Sequence, residues 1–401
     1  MMDINIAEML SGNELQKALL RKPEYDEYIR YKSITERLLQ LSNLYSIYIP
    51  SQMSKEIYNK LYLALIHSLA KKNTKEFIIQ QNENHKAILQ REHNGIIGGS
   101  DSFTIIGVSG IGKSSAIGKS IALISENEII KLSETKIIPF VTVQCPFDAS
   151  VKGMLFEVLR KVDEVLDSNY YKNAVRTRAT TDMLIGCVSQ VALNHIGMII
   201  VDEIQNVCKS KHGRNLVGML TQLINNSGVS ICMVGTPECS SFFEREIQLA
   251  RRALGLHYEP LKFDEYFADF CKTVFSYQYV RKTTEISAGI IEWLYEHSGG
   301  ITSVVVSLIH DAQEMAILDG SEILNIDTLK MAYTKRLSMM HEYIHISKKS
   351  SEKPKKNTVI FKETNNIDEK AFSDYSTKSK KENINVIELL KGKITVEEIV
   401  L

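Results

Sequence analysis

The sequence predicts an α/β fold, a three-layer sandwich built on a parallel sheet and followed by a C-terminal helical lid. Three observations carry this expectation. Short, unbroken apolar runs at Phe103–Val108, Ile137–Val143, Met198–Val201 and Ser230–Val234 alternate with helical patterns such as Val151–Leu166 and Thr181–Leu193. Strands buried on both faces read as such runs, and the helices between them suit crossovers in a parallel sheet. A glycine-rich motif joins the first run to a helical pattern, and after about Leu261 the strands stop while helices continue.

Residues 1–95 form a helical N-terminal region, with amphipathic patterns at Ile34–Leu41 and Ile57–Leu69 and a helix start between them at Pro50-Ser51. Residues 96–260 hold the α/β body. Residues 261–346 are expected as the lid, with helices at Asp264–Tyr277, Ser287–Ser298 and Ser303–Leu318 and a short last helix near Asp327, whose carboxylate is suited to cap it. Residues 347–401 begin with Lys348, Lys349, Lys353, Lys355 and Lys356 and read as a disordered, Lys-rich tail. Its end, Asn385–Leu401, regains apolar residues and suits a docking peptide. No internal repeat is visible.

Lys+Arg and Asp+Glu both number 48 among 401 residues, which argues against a protein that grips DNA through net charge but leaves room for local basic patches. The six cysteines, Cys145, Cys187, Cys208, Cys232, Cys239 and Cys271, form no C-x-x-C pair and read as reduced core residues. Neither a signal peptide nor an apolar stretch of membrane-spanning length is visible. The expectation is a soluble cytoplasmic protein with no membrane partner.

Gly107-Val108-Ser109-Gly110-Ile111-Gly112-Lys113-Ser114 fits G-x-x-x-x-G-K-[ST], leaving a β-run and entering a helical run at Ser115. Such a loop curls its backbone amides around phosphates, and the helix behind it adds its N-terminal dipole. The expected ligand is ATP with Mg2+. Lys113 would neutralise the β/γ-phosphates, the Ser114 hydroxyl would ligate the metal, and Ser115 belongs to the same loop-to-helix turn.

Met198-Ile199-Ile200-Val201 is followed by Asp202 and Glu203. Asp202 would hold magnesium through its water shell, and Glu203 would orient and deprotonate the attacking water. The strand Ile137–Val143 leaves room for the sheet order of hydrolytic P-loop ATPases rather than kinases. The last apolar run ends in Gly235-Thr236-Pro237, making Thr236 the candidate sensor of the γ-phosphate. Beyond it, Arg251 and Arg252 are candidates for an arginine finger reaching a neighbouring subunit's nucleotide.

These residues resemble the TnsC-type ATPases of bacterial cut-and-paste transposons, of which TniB proteins are wider relatives. The resemblance is carried by the segment Cys145–Gly153, the pair Val162-Asp163, Asn169-Tyr170-Tyr171 and His195-Ile196-Gly197, with Val201-Asp202-Glu203-Ile204-Gln205, Gly235-Thr236-Pro237 and Ala250-Arg251-Arg252. It covers about residues 100–260 well, the lid loosely and the termini poorly. It implies an AAA+ ATPase that assembles with ATP as a ring or helical filament around duplex target DNA. There it would connect a target-selection protein to the transposase, and hydrolysis would disassemble it. In this reading Thr236 is the first sensor and one of Arg251 and Arg252 acts across subunits, with Arg252 favoured. The sequence departs from many AAA+ lids at Ser298–Ser303, which offers no arginine. Looser coupling of nucleotide to lid closure, and slow turnover, are therefore expected.

The resemblance puts DNA near the helix that opens with Lys152. The loop after it offers Arg176 and Arg178, and a second basic loop runs from Lys209 to Arg214. Two other readings compete: an initiator- or loader-like ATPase in replication or repair, and a P-loop phosphotransferase acting on a small metabolite. Against the phosphotransferase stand Glu203 beside Asp202, the arginine-finger candidates and the helical lid. The N-terminal region is the expected contact for the target selector and the tail that for the transposase.

Overall fold

In the computed structural model the described residues are 6–72, 102–125, 128–132, 135–240 and 255–337, all within one compact unit, Met1–Ile346. The tail from Ser347 to Leu401 and the pair Arg251 and Arg252 lie outside the described residues. Among the described residues no single helix is long and apolar enough to cross a membrane.

The chain opens with helices α1 (Gly12–Leu19), α2 (Ile34–Leu41) and α3 (Gln52–Lys72). A capping box starts α2: Ser33 Oγ accepts from the Glu36 amide, and the Glu36 carboxylate accepts from the Ser33 amide. Pro50 cannot continue a preceding helix, and Ser51 Oγ accepts from the Ser54 amide at the start of α3.

Six strands follow among the described residues: β1 (Phe103–Gly107), β2 (Ile130–Leu132), β3 (Thr135–Gln144), β4 (Ile196–Asp202), β5 (Ser230–Gly235) and β6 (Leu256–Tyr258). They form one sheet in the order β2-β3-β4-β5-β1-β6. Every neighbouring pair is parallel except β2–β3, an antiparallel edge addition. The three-residue strands β2 and β6 are too short to show a period in the sequence. The strand separating the glycine-rich loop from the acidic strand is β5, while β3, which holds Ile137–Val143, lies on the far side of β4. Chain order did not reveal this, because β5 returns into the sheet between two strands that precede it.

Helix α4 (Lys113–Ile124) follows β1. Helices α5 (Val151–Leu166), α6 (Tyr170–Arg176) and α7 (Thr181–His195) connect β3 to β4, and α8 (Asn206–Lys209) and α9 (Gly213–Ser227) connect β4 to β5. Alternate strand residues feed two separate cores. Val141, Val143, Ile199, Val201, Ile231 and Met233 pack with α5, α7 and α9. Phe103, Ile105, Met198, Ile200, Cys232 and Val234 pack with α1, α3 and α4. The N-terminal helices therefore complete the second outer layer of the sandwich. Ser68 Oγ on α3 donates to the Gly197 carbonyl of β4 at 2.7 Å.

The lid comprises α10 (Glu265–Phe275), α11 (Ala288–Ser298), α12 (Thr302–Leu318) and α13 (Ile326–Ala332). Asp264 and Ser287 cap α10 and α11 as extended residues just outside each helix. The last helix is capped differently from the expectation: Asn325, not Asp327, accepts from the Asp327 and Thr328 amides. Asn325 holds the extended backbone a cap needs, whereas Asp327 is already in the first turn, where its charge favours the helix dipole.

The lid core extends into Leu41, Leu44 and Ile47 of the N-terminal region. Its polar anchor is Arg37, fully buried, whose guanidinium donates to both carboxylate oxygens of Glu322 at 2.6 and 2.7 Å and to the Tyr279 carbonyl at 3.1 Å. The Arg37 hydrogen bonds hold the Glu322 carboxyl below its ordinary value, outweighing partial burial, which acts the other way. Removing one partner of such a pair strands the other, so Arg37→Met is expected to cost about 3 kcal/mol in denaturant unfolding. Because the folded pKa is depressed, this contribution is fully present above the unfolded value near 4.5 and is lost as pH falls through the lower folded value. That acid-side loss should be absent from Glu322→Gln when unfolding is followed against pH.

Candidate functional site

The carboxyl ends of β1, β4 and β5 meet at one edge of the sheet, where in-register pairing sets Ile106 opposite Gly235 and Val201 opposite Met233. Open α/β sheets bind ligands at such an edge, where the strand order reverses. A cavity of 220 Å³ lies there, lined by Ser109, Gly110, Gly112, Lys113, Ser114, Ser115, Asp202, Glu203, Gln205, Gly235, Thr236 and Ser303. Residues as far apart in the chain as Ser109 and Ser303 are thus gathered around one small space, and Lys113, Ser114, Asp202, Glu203 and Thr236 are among them.

The loop that starts at Gly107 and Val108 turns at Gly110, whose φ of 84° lies in the left-handed region. The Gly110 carbonyl accepts from the lid twice, from Thr302 Oγ1 and from the Ser303 amide, both at 3.1 Å. A side chain at this glycine would run into Ser303. The lid, which lacks an arginine at Ser298–Ser303, thus touches the loop through the first turn of α12. Ile111 is buried and Val108 packs against the lid core. Gly112 takes the N-cap position of α4.

Lys113 is buried, and its ammonium donates to the Gly107 carbonyl at 2.6 Å and the Val108 carbonyl at 2.9 Å. Burial lowers its pKa, against the opposing pull of Asp202 and Glu203. Phosphate oxygens in the cavity would offer this ammonium the negative charge that its burial lacks.

Ser114 Oγ donates to Asp202 Oδ2 at 3.0 Å, and Asp202 Oδ1 accepts from the Glu203 amide at 2.8 Å. A hydroxyl and a carboxylate facing each other are hard oxygen donors. They fit Mg2+, which binds through one or two such groups together with phosphates and retained waters. Glu203 has φ 57°, a left-handed conformation that costs a non-glycine residue about 1–2 kcal/mol. The bonds on either side hold it there: its own amide to Asp202, and the Ile204 amide to the Val234 carbonyl at 2.9 Å. The chain reverses in this turn and leaves the Glu203 side chain exposed at the cavity.

Sequence reasoning missed two parts of the site. The first is Gln205, buried in the cavity wall, whose amide contacts both Glu203 and Thr236. It belonged to the Val201–Gln205 motif but received no role there. The second is a larger cavity of 640 Å³ that shares Gly110, Gly112, Ser115 and Ser303 with the first. Its other walls include Tyr48, Met53 and Glu56 from the N-terminal region, Tyr258 from β6, and Tyr266 and Val306 from the lid. Its size suits a nucleoside. The one signal available in sequence was the helix start at Pro50-Ser51, which gives no hint of what that turn faces.

The basic residues proposed for DNA lie elsewhere. Lys152 is exposed in the first turn of α5, its ammonium 5.6 Å from the centre of the Phe156 ring. Arg176 ends α6 rather than standing in a loop, and exposed Arg178 follows with φ 49°. Lys209 pairs with Glu238 at 3.5 Å across two exposed side chains, a contact worth little.

Residues 86–262, a stretch holding every motif of the cavity, match the family model described as "Bacterial TniB protein". The resemblance read from the sequence is borne out over the α/β body. No curated protein matches the chain. Among solved structures, the Aeropyrum pernix ORC1 protein in complex with DNA is similar at 14% identity and a TM-score of 0.40, covering 62% of this chain and 61% of that one. The Aeropyrum pernix ORC2 protein in its ADP form gives 16% and 0.41, covering 66% and 68%. CDC6P from Pyrobaculum aerophilum gives 11% and 0.42, covering 58% and 60%. The chain therefore spans about three-fifths of the ORC1 and CDC6P chains.

Lys113→Ala would remove the ammonium that a bound phosphate meets in this cavity. ATP affinity should fall by about 2 kcal/mol, roughly thirty-fold, in equilibrium titration with a fluorescent analogue.

Proposed function

We propose that this chain is an ATP-dependent regulator of DNA transposition: it oligomerises on duplex target DNA, links a target-selection protein to the transposase, and disassembles when ATP is hydrolysed. The observation that carries the reading is the convergence of Lys113, Ser114, Asp202, Glu203 and Thr236 on one cavity, inside the stretch that matches the TniB model. Its place of action in this reading is the bacterial cytoplasm, on nucleoid DNA.

The reaction is ATP + H2O → ADP + phosphate. The loop amides and Lys113 hold the β/γ-phosphates, with the nucleoside in the larger cavity between lid, body and N-terminal region. Magnesium held by Ser114 and Asp202 would neutralise charge on the phosphate oxygens. Glu203 takes the proton of the attacking water as its oxygen forms the new bond to phosphorus and the bridging oxygen leaves with ADP. Thr236, at the end of β5, senses the γ-phosphate. Arg251 or Arg252, with Arg252 favoured, serves the neighbouring subunit's nucleotide.

Lys152, Arg176 and Arg178 are the proposed phosphate contacts on duplex DNA; all three are exposed on one segment between β3 and α7. The N-terminal region is the proposed docking site of the target selector. Tyr28, Tyr31 and Leu39 there are each more than 70% exposed, which gives a partner apolar surface to cover. The tail 347–401 is assigned to the transposase.

The test is duplex binding with size analysis for wild type and Glu203→Gln, each with ATP, ADP or no nucleotide. Glu203→Gln should bind ATP normally, hydrolyse it about 10²–10⁴-fold more slowly, and accumulate large DNA-bound assemblies. DNA binding that is absent or indifferent to nucleotide would remove the transposition reading while leaving the nucleotide site standing. In the same assay, Lys152→Ala with Arg176→Ala should weaken binding and flatten its logarithmic salt dependence by about 0.9 per lost phosphate contact. An unchanged slope would take both residues out of the DNA surface.

A further inference from the structure

The Gln205 side chain spans two parts of the site that the backbone holds apart. Its Oε1 accepts from the Thr236 amide at 3.3 Å, and its Nε2 donates to Glu203 Oε2. This orientation follows from the chemistry of the partners. A backbone N–H can only donate and a carboxylate only accept, so the reversed amide would lose both bonds. Gln205 is 9% exposed, which keeps water from replacing either contact freely.

Two neighbours make room for this bridge. A Cβ at Gly235 would come within 2.7 Å of Ile204 Cγ2, 3.0 Å of Gln205 Oε1 and 3.1 Å of Cys239 Sγ. Only a residue without a side chain at the end of β5 lets the amide lie against the strand. Next to it, the Thr236 hydroxyl is buried without a hydrogen-bond partner among the described residues, on a residue that lines the phosphate cavity. Its place on the cavity wall lets a ligand bound there supply that partner.

We infer that Gln205 is a positioning residue that couples the Glu203 carboxylate to the sensor turn at Thr236, so that engagement of the Thr236 hydroxyl by phosphate sets the base for its water. The inference rests on the ATPase reading above. Gln205 touches neither substrate nor metal in this scheme; it acts through Glu203.

Gln205→Glu keeps the size and the acceptor for the Thr236 amide and, ionised, cannot donate to Glu203. Gln205→Met keeps the approximate volume and loses both contacts. In the full chain with ATP and magnesium, both should lower kcat at least about ten-fold, while ATP Kd stays within about three-fold and Tm within a few degrees. Placed in a Glu203→Gln background, Gln205→Met should change the residual kcat by less than about two-fold, because the group it acts through is gone. Wild-type kcat in either single variant overturns the coupling. So does a fall in kcat matched by equal losses of ATP affinity and Tm, or an additive loss in the double variant. A wild-type chain without magnesium-dependent turnover instead removes the ATPase reading, and the coupling falls with it.

Discussion

In-register pairing of three parallel strands is the constraint on which the site depends. β1 delivers the glycine-rich loop, β4 delivers Asp202 and Glu203, and β5 delivers Thr236, each at the strand's carboxyl end. Slipping β4 by one residue would send Ile199 and Val201 to the wrong core and carry Asp202 away from Ser114. The two apolar layers therefore do more than stabilise the sandwich. They hold the register, and the register holds a hydroxyl and a carboxylate 3.0 Å apart across 88 positions of sequence.

The N-terminal region is bound into this arrangement at both ends. Residues from Pro23 to Ile49 lie against the lid: the Tyr277 hydroxyl donates to the Pro23 carbonyl, the Tyr266 hydroxyl to the Ile49 carbonyl, and Arg37 reaches Glu322. From Gln52 onward α3 lies against α4 and the sheet. The chain passes from lid to body at Tyr48–Met53, which forms a wall of the larger cavity. A ligand there contacts lid, body and the segment joining them, so any change in the angle between lid and body alters its walls. Gly110 adds a direct link, since its carbonyl takes both donors offered by the start of α12.

Several features of the site are strained or costly by themselves and persist because their neighbours hold them. Glu203 occupies a left-handed backbone, and among the described residues buried Lys113 donates to carbonyls and Thr236 Oγ1 has no partner. Phosphate, magnesium and water would relieve the last two. Clustering of such groups in one cavity, while the cores beneath are regular, is the pattern expected where binding rather than folding selects the residues.

The sequence by itself determined the fold class, the four long strands, the phosphate loop and its acidic partner strand, because these are local patterns: an apolar period, a spacing of glycines, two acids after a buried run. It also determined most helix starts, since a cap is a matter of one side chain and three residues; at the last lid helix the backbone conformation put Asn325, which the sequence reading had not singled out, in the cap position in place of Asp327. Tertiary structure alone decided the rest. It inserted β5 between β1 and β4, added β2 and β6 at the edges, bound the N-terminal helices to both sandwich and lid, and set Gln205 between Glu203 and Thr236. Apart from the short β2–β3 hairpin and the Gln205–Glu203 contact, these join residues far apart in the chain, and none is announced by residue type or local spacing. A glutamine two positions after an acid looks the same in sequence whether its amide meets water or bridges two strand ends.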